Sequence, residues 1–215
     1  MSEIRLHSYF RSSTSVRVRV ALAMKGLDYD YVAWNLRAAE QRSSDFLAIN
    51  PQGLVPALEV DGLILRQSLP IIEYLDERFP QPALLPSDSA GRARVRALAA
   101  MIACEVHPLN NLRVLRYLQS TFAADTEAQA AWFCHWTRAT LDPLESIVAS
   151  APETGVFCHG DQPGLADICV FAQFLNNRRF GLADSEWPVL ARIHAACMEI
   201  AAFRAAEPDM QPDAK

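Results

Sequence analysis

The 215-residue chain holds no apolar run long enough for a membrane span; the longest candidate, 168–175, is interrupted by Gln173. Its start, MSEIRLHSY, lacks the basic segment and apolar stretch of a secretory leader. A protein of the cytoplasm, independent of the membrane, is the expectation. There is no excess of basic residues: 20 Lys and Arg face 25 Asp and Glu, for a net charge of -5. That argues against a nucleic-acid partner. Cysteines number five and are scattered, with no C-x-x-C, so no disulfide framework is expected. Cys104 and His107 stand in C-x-x-H spacing and Cys158 adjoins His159. Neither pair has a second pair to complete it, so no metal site is expected.

What is present points to a folded protein of two parts. The hydrophobic share of 51% against 21% charged residues supports a sizeable core. In the first 80 residues the pattern alternates between strand and helix. Strands are expected at 4–9, 29–34, 57–60 and 63–65, the last two joined by Asp61-Gly62, the sequence of a tight type I′ hairpin. A helix follows from Ser68, with Ile71, Ile72, Leu75 and Phe79 on one face. Then three prolines fall within 80–86, which rules out a continuous helix or central strand and marks a linker. Beyond it the chain is alanine-rich and helical in period over 90–104, 110–122, 127–149, 166–174 and 188–206. The expected architecture is an α/β domain over 1–82 and an all-helical domain over 88–215.

The stretch YFRSSTSVRVRVALAMKG at 9–26 decides how the first part works. Val16, Val18 and Val20 alternate with Arg17 and Arg19, as a strand would. Yet Val16, Val20, Ala21 and Met24 also share a helical face, 21–25 are good helix formers, and Lys25-Gly26 is a helix stop. Helix is the better reading, with Ser12 or Ser13 as its N-cap. The hydroxyls of Ser12, Ser13, Thr14 and Ser15 then lie at the positive end of a helix, a position receptive to anions. Plain capping would need only one of them. A second such place is Gln67-Ser68, with Ser68 as N-cap and Pro70 in the first turn. Between the two lies Val55-Pro56, cis or trans. A cis bond would turn the Val55 backbone N–H and C=O outward to pair with an extended ligand.

The order β-loop-α, β, Val-Pro, β-turn-β, Gln-Ser-α resembles the thioredoxin-like, glutathione-binding domain of the glutathione transferases. Three stretches resemble the zeta class in particular: 12–22, the pair Asn50-Pro51 with Val55-Pro56, and Gln67-Ser68 with 71–75. So does the segment His107-Pro108-Leu109-Asn110-Asn111-Leu112-Arg113. The resemblance covers essentially the whole chain, and 91–122 looks closest to bacterial members. There are departures. Thr14 stands where many zeta members have cysteine, Val16 where they have tryptophan, and Gly164 where Ser or Thr opens the capping box ending at Asp167. Asp167 is therefore read as a folding residue.

The resemblance implies a homodimeric, glutathione-dependent cis-trans isomerase of a maleyl diketo acid, maleylacetoacetate or maleylpyruvate, in aromatic catabolism. It implies that Ser12, Ser13 or Thr14 stabilises the glutathione thiolate. It also implies that Gln52, the Val55 main chain, Gln67, Ser68, His107 and Asn111 hold the tripeptide. Arg11 and Arg179 are the expected clamps for the small dianionic substrate, solvated arginines being the plain alternative. Of the two arginines inside the first helix, Arg17 is the one that could face the site, while Arg19 is expected to form ion pairs. Two other readings stay open: a general transferase that conjugates or dehalogenates small electrophiles, and a non-catalytic binding protein of the same fold.

Overall fold

A computed structural model describes residues 4–214 of the chain. They form two compact units, Met1–Leu84 together with Met198–Lys215, and Leu85–Cys197.

The first unit is built on strand β1 (Arg5–Ser8), helix α1 (Ser13–Met24), strand β2 (Asp30–Ala33), helix α2 (Ser44–Ile49), strands β3 (Ala57–Val60) and β4 (Leu63–Arg66), and helix α3 (Ser68–Arg78). The sheet order is β2-β1-β3-β4. β1 pairs parallel to β2 and antiparallel to β3, and β3 turns back into β4. The hairpin has positive φ at both Asp61 and Gly62, as a type I′ turn requires. This is the thioredoxin-like arrangement expected, with α1 and α3 packed on each other.

α1 is a helix and no strand, because it is buried on every side: Val16, Arg17, Val18, Arg19, Val20, Ala21 and Leu22 all lie inside. The alternation of apolar and basic residues therefore reflects two buried arginines. Arg19 makes none of the ion pairs expected of it among the described residues. Its Nε and Nη2 donate to the Ala206 carbonyl, Nη2 also to Phe10 O, and Nη1 to Ser8 Oγ and Tyr9 O. Burial lowers its pKa, and carbonyl oxygens replace the carboxylate. At the helix end, Gly26 takes φ +64°. Lys25 does more than cap: its Nζ donates to Asp76 at 2.7 Å and to Pro82 O, tying α1 to the end of α3.

The linker region 80–86 carries neither helix nor strand. The second unit contains α4 (Ser89–Ala100), a π-helical turn (Met101–Val106), α5 (His107–Leu109), α6 (Leu112–Phe122), α7 (Thr126–Ser150), α8 (Leu165–Arg179) and α9 (Pro188–Met198). α8 is its axis, with 165–174 wholly buried. Asp167 supplies one arm of the capping box: its Oδ2 accepts from Gly164 N at 2.8 Å and its Oδ1 from Cys158 N at 2.7 Å. Gly164 has no side chain to return the bond. Burial raises the Asp167 pKa against the opposing pull of these donors.

The helix expected over 188–206 is two. Ile200 adopts an extended conformation between α9 and α10 (Ala201–Ala205). Residues 198–215, expected in the helical part, group with the first unit. The reason is a set of contacts distant in sequence: Arg19 is satisfied by Ala206, and the Asp213 carboxylate accepts from Phe10 N and Tyr31 Oη.

Candidate active site

The functional groups of the first unit gather at the heads of α1 and α3 and at the Val55-Pro56 bond. Ser12 is the N-cap of α1: its Oγ accepts from Ser15 N at 3.2 Å. Thr14 Oγ1 lies 2.8 Å from Ser12 Oγ and 3.0 Å from the Val55 carbonyl oxygen. A carbonyl only accepts, so the Thr14 proton goes to Val55 and the Ser12 proton to Thr14. The hydroxyls thus form a directed chain, Ser12 to Thr14 to Val55 O. Ser13 is buried in the first turn.

The Val55-Pro56 bond is cis. Of the two outward groups expected at Val55, the carbonyl is taken by Thr14. The N–H makes no hydrogen bond among the described residues. Phe46 of α2 packs with Tyr9 and Val55 beneath this corner. Sequence periodicity missed α2, since its six residues span fewer than two turns; Ser43, whose hydroxyl caps Phe46 N, was the available signal.

At α3 the N-cap is Gln67, with φ +70°, one position earlier than expected, and Ser68 is the first helical residue. Gln67 Nε2 donates to Gln52 Oε1 at 2.8 Å, so these two candidates meet at the surface. Ser68 is buried, and its Oγ accepts from Arg17 Nη1 at 3.3 Å. The sequence sets Arg17 apart from Arg19 as the one that could face the site, but it gives Arg17 no partner; the structure pairs it with Ser68. Arg11 is exposed, with its guanidinium 5.1 Å from the centre of the Phe10 ring.

The remaining candidates belong to the second unit. His107 opens α5, and its Nε2 stands 3.4 Å from Asn111 Nδ2. Asn111 is also the N-cap of α6, accepting from Arg113 N. Arg179 is exposed in the last turn of α8, with Nη1 3.3 Å from Asn176 Oδ1. Its neighbour Arg178 is engaged differently, donating to Asp184 and to His194 Nε2. Among the described residues no helix is long and apolar enough to cross a membrane, and no group of three His, Cys, Asp or Glu side chains gathers as metal ligands would.

Residues 2–77 match the family model described as glutathione S-transferase, N-terminal domain. The chain is 46% identical to a maleylpyruvate isomerase of Ralstonia, over 98% of this chain and 99% of that protein. The chain belongs to the zeta-class glutathione transferases, the family of the maleylpyruvate and maleylacetoacetate isomerases. Among solved structures it resembles a holo maleylpyruvate isomerase of the zeta class, with TM-score 0.95 and 46% identity over 97% of this chain and 99% of that one. It also resembles the maleylacetoacetate isomerase of Anaeromyxobacter dehalogenans with glutathione bound in its active site, with TM-score 0.89 and 45% identity over 100% and 99% of the two chains.

The residues present suit a zeta-class ligand that combines a peptide backbone, a thiol and two carboxylates. The Val55 N–H offers an unused backbone donor. Two helix N-termini carry hydroxyls, and Arg17 is a buried cation with donors to spare.

Proposed function

We propose that this protein is a glutathione-dependent cis-trans isomerase of a maleyl diketo acid. The observation that carries the reading is the hydroxyl chain of Ser12 and Thr14 at the head of α1, beside the unused Val55 N–H. Glutathione, when bound, would supply the thiolate nucleophile for reversible addition to the double bond, which frees rotation about it.

The chain's own residues make that thiolate available. A free thiol has a pKa of about 8.5 and is mostly protonated at neutral pH. Hydroxyl donors and a helix N-terminus both favour the charged form. Turning the Thr14 proton from Val55 O, or the Ser12 proton from Thr14, presents one donor to the sulfur without moving the backbone. Ser13 stands in the same first turn. This reading assigns the peptide to Val55 N–H, Gln52, Gln67, Ser68, His107 and Asn111. Arg11 and Arg179, both exposed, clamp the two carboxylates of the substrate. The same reading makes the protein a cytoplasmic homodimer.

The deciding experiment offers maleylpyruvate and maleylacetoacetate side by side, with and without glutathione. Isomerisation of at least one acid that depends on added glutathione is expected. A rate that persists without glutathione would overturn the reading.

A further inference from the structure

Two arginines of α1 stand two positions apart, each 1% exposed, and the fold treats them in opposite ways. Arg19 has every nitrogen engaged. Arg17 makes one bond, from Nη1 to Ser68 Oγ, while its Nε and Nη2 have no partner. Those two nitrogens share the edge of the guanidinium that takes a carboxylate side-on. No carboxylate of the described residues pairs with Arg17. A buried cation left without acceptors is costly. Among the described residues nothing neutralises its charge.

The place where this charge sits is the head of α3. The first amides of a helix have no partner inside it, and Pro70 brings none, so Ser68 and Leu69 supply the free N–H groups. The helix dipole adds positive potential there. The bond from Arg17 also orients Ser68. With the serine oxygen accepting from Nη1, its single proton is left for an acceptor outside the chain.

We infer that Arg17 is a positioning residue for glutathione: it fixes the Ser68 hydroxyl as a donor and places an uncompensated positive charge behind it, for one of the tripeptide's two carboxylates. The inference deepens the glutathione reading above and rests on it. In that arrangement Arg17 lowers the stability of the free protein and raises its affinity for the anion.

The test is binding, not turnover. Dissociation constants for glutathione, γ-glutamylcysteine and cysteinylglycine are measured by calorimetry on the full chain, with melting temperatures alongside. Arg17→Met should weaken glutathione about tenfold or more, the effect of losing one charge-assisted contact. The loss should persist for whichever dipeptide keeps the carboxylate at Ser68 and vanish for the other. The melting temperature of the free variant should equal or exceed that of the wild type, while its glutathione-induced rise shrinks. Ser68→Ala should show the same loss, and the double variant little more. Arg17→Lys, which keeps the charge but not the fork, should show the same selectivity in weaker form and serves if Arg17→Met fails to fold. Unchanged affinity, an equal loss for both dipeptides, or a purely additive double variant would overturn the role of Arg17. A wild-type protein that binds no glutathione would overturn the functional reading itself, and this inference with it.

Discussion

The hydroxyls of Ser12 and Thr14 lie 2.8 Å apart, and the proton of the second is already spent on the carbonyl of Val55. The two side chains are therefore one unit with a single direction. A thiolate at the head of α1 draws on the pair, since whichever hydroxyl turns to it alters the bond made by the other. Ser12→Ala and Thr14→Val should each lower kcat/KM about tenfold or more, because a bond to a charged acceptor is worth about 1.5–3 kcal/mol. The double variant should lose less than the product of the two. The pH-rate profile should shift upward in both single variants as the thiol regains its proton. A multiplicative double variant would separate the two residues.

Arg178 and Arg179 are adjacent but differently employed. Arg178 is held by Asp184 and His194, whereas Arg179 is exposed at the end of α8. Arg179→Ala should raise KM for the maleyl substrate severalfold and leave KM for glutathione nearly unchanged. Arg178→Ala should instead act on stability. Steady-state kinetics with each substrate varied in turn checks the split, and equal effects on both KM values would reject Arg179 as a clamp.

His194 is stacked on Phe171 and Phe174 and takes a bond from Arg178. Burial, reinforced by the Arg178 charge, lowers its pKa from the ordinary 6.5 to about 4. Between those values the unfolded chain binds a proton that the folded one refuses. The stability it confers is thus complete above pH 6.5 and is lost as pH falls through 4, to the extent of roughly 3 kcal/mol. Urea unfolding of the wild type should weaken over that range. In His194→Gln the slope over the same range should be shallower; an identical slope would assign it to other groups.

Much of the first unit was legible because its local signals agree. Asp61-Gly62 forms the hairpin turn, Gly26 ends α1, and the prolines of 80–86 break regular structure. At α1 two periods competed, and the strand-like one arose only because Arg17 and Arg19 are interior residues of a helix buried all round. Nothing in a one-dimensional pattern tells a buried arginine held by carbonyls from an exposed one seeking a carboxylate, so Arg19 was assigned the wrong partners. The positions at α3 slipped by one for a similar reason: Ser68 is a good cap in type, but Gln67 takes the unusual backbone angles. The hydroxyl cluster and Gln67-Ser68 were visible as residue types, whereas the direction of the Ser12–Thr14 chain depends on the Val55 carbonyl, 41 positions from Thr14, and the link from Arg17 to Ser68 joins side chains 51 positions apart. The placement of 198–215 is another long-range fact, set by Ala206 and Asp213 reaching residues near the start of the chain.

That last feature bears on how the molecule is made. During synthesis the ribosome releases β1 and α1 first, but the acceptor for Arg19 emerges with Ala206 and the one for Phe10 N with Asp213. The earliest unit to leave the exit tunnel is therefore the last to be completed. Until Ala206 has emerged, a nascent thioredoxin-like half carries an interior arginine missing its main acceptor. Removing residues 206–213 leaves that half unfinished, however intact its own strands and helices are.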